Sequence, residues 1–151
     1  NLAGGDQTIW RVSFDATTAR VFSDPPMNFL EITKSGDMLS FGGGQNTPAI
    51  GPLAALADGH YIAGFRPNHV EIKQFAKDSI AFETRVTVTE ITGSETFVHL
   101  EYHGEKWVGL VHGVHDLTLG GALPVYLDPT HIYIFSQTGE LVAPASYALA
   151  A

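Results

Sequence analysis

Apolar and polar residues alternate over short stretches along most of the chain, and the spacing typical of helices is scarce. Side chains on a β-strand point alternately to opposite faces, so this alternation predicts strands. In the longest stretch, Val86, Val88 and Glu90 are expected to share one face. The predicted strands are residues 27–33, 38–41, 61–65, 80–92, 96–103, 106–112, 122–127 and 131–135, with a brief pairing at 141–142. Turn-forming residues separate them, which predicts an all-β fold, either a mostly antiparallel barrel or a sandwich.

Two short segments carry helix signals. Residues 15–22 begin at an aspartate, a favourable N-terminal cap, and end before an Asp-Pro-Pro sequence that cannot continue a helix. Residues 52–57 (PLAALA) form a second, shorter candidate. The glycine-rich run at 39–46 comes just before Pro48, which prevents a helix there, so we interpret it as a strand end and a loop. We therefore expect one short N-terminal helix beside the strands.

Composition narrows the function classes. The chain has 151 residues, a length that suits one domain with a short appendage. It carries 16 acidic and 8 basic residues, a net charge of −8, which argues against nucleic acid as a partner. It has no cysteine, so disulfides and thiolate metal sites are excluded. No apolar stretch approaches the roughly 18 residues of a membrane-spanning helix.

Four of the seven histidines lie in the stretch HLEYHGEKWVGLVHGVH. Histidine is the commonest metal ligand, so a metal site is a natural hypothesis. On a strand, His99, Glu101 and His103 would share one face, about 7 Å apart from one to the next. A two-residue turn at 104–105 would place Lys106 beside His103, and a lysine there disfavours a bound cation. We interpret this face as solvated or covered by a partner, and predict no metal.

The other face of this predicted hairpin is apolar, with Tyr102 opposite Trp107. His112 and His115 are separated by a glycine and a valine in a strand-to-turn region, which gives them no shared geometry. The sequence contains no phosphate-binding Gly-x-x-x-x-Gly-Lys-Ser/Thr loop, no Gly-x-Ser-x-Gly and no His-Glu-x-x-His. We therefore predict no catalytic residue and no cofactor site. A metal-dependent β-barrel enzyme built on the histidines stays open as an alternative.

Four stretches of the chain, in order, resemble one family. They are TARVFSDPPMNFLEI (18–32), AGFRPNHVEI (63–72), VTEITGSETFVHLEY (88–102) and PVYLDPTHIYIFSQTGELV (124–142). Together they are similar to the C-terminal regulatory region of sugar-type, MalK-like ABC importer ATP-binding proteins. In that family the region is a TOBE module built on an OB-like barrel. The resemblance implies a linker and short helix at 1–22, a TOBE/OB-like regulatory domain at 23–143 and a tail at 144–151.

The resemblance also implies a role. The motifs of the ATPase domain are missing, so we expect an excised regulatory and dimerisation domain that is not itself an enzyme. Its expected partners are a second copy, the membrane permease subunits of the parent and a regulatory protein or small ligand. The parent would use ATP and Mg²⁺ at the inner face of the cell membrane, to import a sugar, polyol or glycerol phosphate. A small-ligand or oxyanion-binding TOBE module is the second alternative.

Six residues are candidates for contact with a partner. The family motif Gly-Ile/Phe-Arg-Pro-Glu-His/Asp corresponds here to residues 64–69, in which an asparagine replaces the usual acid. Arg66 precedes a proline, which holds its backbone extended. Glu95 follows the predicted Gly-Ser turn, and two strand aromatics could supply an apolar patch. The predicted interface residues are Arg66, Pro67, His69, Glu95, Tyr102 and Trp107.

Overall fold

The computed structural model describes residues 27–42, 45–49, 51–113 and 117–144. Within these ranges the predicted all-β fold is confirmed. The strands are β1 (Asn28–Ser35), β2 (Met38–Ser40), β3 (Asn46–Pro48), β4 (Gly59–Phe65), β5 (Ile80–Thr92), β6 (Glu95–Tyr102), β7 (Glu105–His112), β8 (Ala122–Leu127), β9 (Tyr133–Phe135) and β10 (Leu141–Ala143). Short 3-10 helices span Gly51–Ala55, Pro67–His69 and Pro129–His131.

The structure differs from the sequence predictions at one loop and one short helix. The predicted loop at 39–46 runs into a strand that the sequence did not indicate, β3, in which Thr47 pairs with Leu39 of β2. Because β3 is the edge of its sheet, its proline costs no ladder hydrogen bond. The predicted helix at 52–57 is a 3-10 helix, shifted one residue towards the N-terminus. The predicted linker and helix at 1–22 lie outside the described residues.

The strands form two antiparallel sheets around a shared apolar core. The larger sheet has the order β10-β9-β4-β1-β2-β3, and the smaller has the order β7-β6-β5-β8. Their inner faces meet in one continuous cluster of buried side chains, so the curled sheets form an OB-like half-barrel. The chain crosses between the sheets twice, from β4 to β5 and from β8 to β9.

Strand β5 contains a bulge that overturns one prediction. Val86 pairs with Leu100 of β6, whereas Val88 pairs with His99, so Thr87 is an extra residue in the ladder. A bulge of this kind reverses the facing of every side chain that follows it. Val86 is buried, but Val88 is 47% exposed on the outer face. The prediction that these two valines share one face is therefore wrong.

The β6–β7 hairpin turns one residue earlier than predicted. The turn residues are His103 and Gly104, with φ angles of 45° and 85°. Positive φ at both positions matches the twist of a two-residue hairpin turn. Trp107 consequently pairs with Leu100, and Tyr102 pairs with Glu105. His103 thus lies in the turn and not on the strand face with His99.

Tyr102 and Trp107 lie in the core, which contradicts the prediction that they contact a partner. They are 2% and 1% exposed, and their rings stack on each other with centroids 5.0 Å apart. The polar atom of each side chain also forms a hydrogen bond within the protein. The Tyr102 hydroxyl donates to the Gly42 carbonyl at 3.0 Å, and the Trp107 indole N–H donates to the Phe29 carbonyl at 3.1 Å. Aromatic residues with both their area and their polar atom buried stabilise the barrel.

Candidate partner-binding groove

An apolar groove of about 680 Å³ lies on the outer face of the β6–β7 hairpin. Its floor consists of apolar side chains from the hairpin and from the two segments beside it. Its rim carries a guanidinium, a carboxylate, an imidazole and an amide. The floor residues are Met27, Pro67, Phe97, Val108 and Leu110, and the rim residues are Arg66, Asn68, Glu95 and His112, with Asn28 between floor and rim.

The floor of the groove follows from the sequence of the hairpin. On β6 and β7 alternate residues point into the core, and the residues between them lie half-buried or exposed on the outer face. Phe97 pairs directly with Leu110, and His99 pairs with Val108, so three apolar side chains lie side by side on that outer face. An antiparallel sheet with one solvated face normally carries polar residues there. A cluster of apolar side chains on this otherwise polar face indicates a surface that another group covers.

Asn28 fixes one wall of the groove. Its side-chain amide donates from Nδ2 to the Val108 carbonyl at 2.9 Å, and its Oδ1 accepts from the Val108 N–H at 2.7 Å. The side chain thus pairs with β7 as a neighbouring strand would, and it joins the two sheets. Met27 packs beside it against Ile62, Tyr133 and Phe135. The described chain therefore begins in the wall of the groove.

Arg66 and Pro67 line another part of the groove. Arg66 is extended, with φ −83° and ψ 150°, and the 3-10 helix Pro67–His69 follows it. The turn is closed by a hydrogen bond from the Val70 N–H to the Pro67 carbonyl at 3.2 Å. Val70 packs against Gly109 of β7, where an added Cβ would lie 3.3 Å from the Val70 side chain. The glycine thus lets the turn sit close against β7.

The structure brings Arg66, Pro67 and Glu95 together around one groove, although they come from two separate motifs. The role of these three residues in partner contact stays a prediction. The sequence did not single out Met27, Asn28, Val108 or Leu110 as site residues. The available signal was the set of apolar residues Phe97, Val108 and Leu110 on the outer face of the hairpin, and it can be recognised only once the register is known.

His69 lies apart from the groove lining and stacks on His131. The ring centroids are 3.9 Å apart and the planes meet at 19°. The pKa of His69 is lowered from 6.5 to about 4. The largest cause is burial, followed by the neighbouring His131 and the Arg66 guanidinium, and Asp128 acts in the opposite direction. The two histidines occupy equivalent positions in two similar turns, residues 66–70 and 128–132, each with a proline two residues before the histidine.

Two of the clustered histidines pair with carboxylates on the outer face. His99 Nε2 lies 3.1 Å from Glu90 Oε1, and His112 Nδ1 lies 3.4 Å from Glu95 Oε2. His115 lies outside the described residues. Across the ranges that the structure describes, no three histidine or carboxylate side chains are grouped to hold a metal ion. The histidine cluster therefore contributes contacts with carboxylates to this face, and His112 is one of the residues that line the groove.

Comparison with known proteins finds a family model and a relative that match parts of the chain. Residues 63–135 match the family model of the TOBE domain. The sn-glycerol-3-phosphate import ATP-binding protein UgpC of Cupriavidus pinatubonensis (strain JMP 134 / LMG 1197) is 28% identical over 138 residues. That match covers 82% of this chain and 37% of the relative, so the chain spans little more than a third of that protein's length.

A solved structure supports the same fold. A molybdate-bound crystal form of the molybdate-binding protein ModG superposes with a TM-score of 0.55 at 14% identity, covering 72% of this chain and 95% of ModG. At that identity the likeness concerns the fold alone.

In the part of the chain that the structure describes, no helix is both long and apolar enough to cross a membrane. Residues 63–135 are therefore similar to the TOBE domain, and most of the chain is similar to part of an importer ATP-binding protein.

Proposed function

We propose that the chain is the regulatory domain of the ATP-binding subunit of an ABC importer, and that it works by docking other protein segments. The convergence of Arg66, Pro67 and Glu95 on one apolar groove carries this proposal. An apolar floor with a few charged groups at its rim is the usual composition of a protein contact. The TOBE match and the similarity to UgpC support the assignment to an importer subunit.

The parent protein would pair two such subunits and attach them to membrane permease subunits at the inner face of the membrane. The name of the UgpC relative supports glycerol phosphate as the imported solute, within the wider class of sugars and polyols. In this role the chain contributes contacts and no chemistry. ATP and Mg²⁺ would bind the ATPase domain of the parent.

Three experiments test this function. The reading frame upstream of Asn1 should encode a Gly-x-x-x-x-Gly-Lys-Ser/Thr loop, followed by the other ATPase motifs. The chain alone should bind no Mg-ATP in isothermal titration, and micromolar affinity would contradict the proposal. Sedimentation velocity tests association with a second copy. A reversible dimer is expected at concentrations up to about 0.1 mM, and a monomer throughout would count against a dimerising role.

An oxyanion-binding module is the second candidate, because the ModG fold neighbour was solved with molybdate bound. The described part of this chain offers a polar cavity of about 440 Å³ lined in part by Arg85 and His103. Glu83 and Glu101 line the same cavity, and two carboxylates repel an anion. A thermal-shift series with molybdate, phosphate and glycerol 3-phosphate separates the candidates. A melting temperature that rises with the concentration of one anion would favour the binding module.

A further inference from the structure

We propose that the groove receives the Phe75 side chain of a second copy of the chain, and that two copies exchange these side chains to form a closed dimer. This inference rests on the proposed function and deepens it, because it names the surfaces through which two subunits pair. Two features of the described chain carry it. One is an exposed aromatic side chain on a loop, and the other is the apolar groove.

Phe75 lies in the loop between β4 and β5. Among the large apolar side chains of the described residues it is the most exposed, at 75%. The loop is anchored, because Glu71 and Tyr126 exchange backbone hydrogen bonds at its base and the Ser79 N–H donates to the Ala76 carbonyl at 3.2 Å. An apolar side chain on an anchored loop loses little further freedom when a partner covers it, which favours binding.

The groove matches this side chain in size and character. Its volume of about 680 Å³ is large enough for a phenylalanine ring, and its floor of Phe97, Val108 and Leu110 is apolar. The Phe97 ring can pack edge to face with an entering ring. Because Phe75 is largely exposed and does not line the groove, it does not fill the groove of its own chain. A second copy can therefore supply it.

Charge supports the same pairing. Phe75 lies between two exposed lysines, Lys73 and Lys77, on a chain whose net charge is −8. Glu95 lines the groove and lies 3.4 Å from His112, and a carboxylate can accept from more than one donor. Arg66 also lines the groove and repels a lysine, so the charges orient the docking more than they strengthen it.

The positions of the two features along the chain favour a closed arrangement. Pro67 lines the groove, and Phe75 follows it after the turn that packs against β7. Around a two-fold axis, a contact between Phe75 of one copy and the groove of the other is repeated in the reverse direction. The dimer therefore contains two identical contacts. A contact without such closure would add further copies and produce longer assemblies.

Sedimentation velocity of the whole chain tests the role of Phe75. We expect Phe75→Ser to raise the Kd of the dimer by at least about ten-fold, because both phenylalanine contacts are lost. Leu119→Ser is the matched control, since Leu119 is 62% exposed and lies outside the groove lining, and it should leave the Kd unchanged. A Kd that is unchanged by Phe75→Ser would overturn the proposal.

A mixture of two variants tests the groove as the receiving site. Leu110→Glu should weaken association as Phe75→Ser does, because it places a carboxylate in the apolar floor. An equimolar mixture of the two variants should associate more tightly than either variant alone, because only the mixed dimer keeps one intact contact. A mixture that associates no more tightly than its components contradicts the exchange of side chains.

Cross-linking provides a readout that does not depend on the folding of Leu110→Glu. The chain has no cysteine, so an introduced pair reports on one contact. Gln74→Cys, beside Phe75, and Asn68→Cys, at the rim of the groove, should give a mixed disulfide-linked dimer on mild oxidation. A yield no higher than that of either variant alone would count against the proposal.

The outcomes separate this inference from the proposed function. A dimer that survives both Phe75→Ser and Leu110→Glu overturns the inference but keeps the dimerising role. Assemblies larger than a dimer in the unmodified chain overturn the closed arrangement. A chain that is monomeric throughout overturns the inference and counts against the dimerising role as well. The upstream-sequence and ATP tests address the assignment to an importer subunit independently of all three results.

Discussion

The stacked His69–His131 pair makes the stability of this barrel sensitive to mild acid. The two rings lie 3.9 Å apart, and the groups that face His69 are His131, Arg66 and Asp128. Burial, followed by the neighbouring His131 and Arg66, lowers the pKa of His69 from 6.5 to about 4. In the unfolded chain the same imidazole titrates near its ordinary value. Between these two values the unfolded state therefore binds more protons, and stability falls as the pH falls.

The size of the effect follows from the pKa. At about 1.4 kcal/mol for each pKa unit, the fall from 6.5 to about 4 sets a ceiling of roughly 3 kcal/mol. Solvent screens a half-buried ring, so we expect roughly 1–2 kcal/mol of this to be realised. The contribution is fully present above pH 6.5 and is lost as the pH falls towards 4.

Urea denaturation at pH 7 and pH 4.5 measures this loss. Carboxylates titrate in the same range, so the informative quantity is the difference between the unmodified chain and His69→Gln. The variant should lose about 1–2 kcal/mol less free energy of unfolding on acidification than the unmodified chain. His60→Gln, at an exposed histidine of β4, should behave like the unmodified chain. Equal acid sensitivity in the unmodified chain and His69→Gln would refute the reasoning.

Three further substitutions test the contacts that shape the barrel, each by urea denaturation at pH 7. Asn28→Ala removes both hydrogen bonds to the backbone of Val108 and should cost about 2–3 kcal/mol; a loss below 0.5 kcal/mol (roughly the error of such a measurement) would mean that the amide does not join the sheets. Gly64→Ala places a Cβ 2.8 Å from the Phe135 ring and should cost about 1–3 kcal/mol, so an unchanged midpoint would contradict this packing. His103→Asn puts a residue better suited to φ 45° before Gly104, and should raise stability by about 0.5 kcal/mol; a decrease would argue against the turn geometry.

The sequence was sufficient for the fold class because period-two alternation is a local property. Each strand that was predicted could be read from its own residues and the turns that flank it. β3 was missed because three residues beside a glycine run carry too little pattern to be recognised. Its partner Leu39 supplies the pairing, and that contact is not visible in local sequence.

The face to which each side chain points and the register between paired strands could not be predicted from local sequence. One extra residue at Thr87 reverses the faces of β5 beyond it, and a run of β-branched residues looks the same with or without a bulge. A one-residue error at the turn likewise changed the partner of Trp107 from Tyr102 to Leu100. The floor of the groove depends on the β6–β7 register, so three of its lining residues could be named singly from the sequence but the groove could not be assembled.

The turn at Pro67–His69 links the groove to the crossings between the sheets. Arg66 and Pro67 line the groove, while His69, two residues further on, stacks on the turn through which the chain returns from β8 to β9. Just beyond, Glu71 and Tyr126 exchange backbone hydrogen bonds of 2.9 and 2.7 Å, which ties the two crossings together. A group that binds the groove therefore contacts a turn that packs against the second crossing. If occupancy of the groove changes the stability of the His69–His131 stack, the stack must change the affinity of the groove by the same factor, because thermodynamic coupling between two sites is reciprocal.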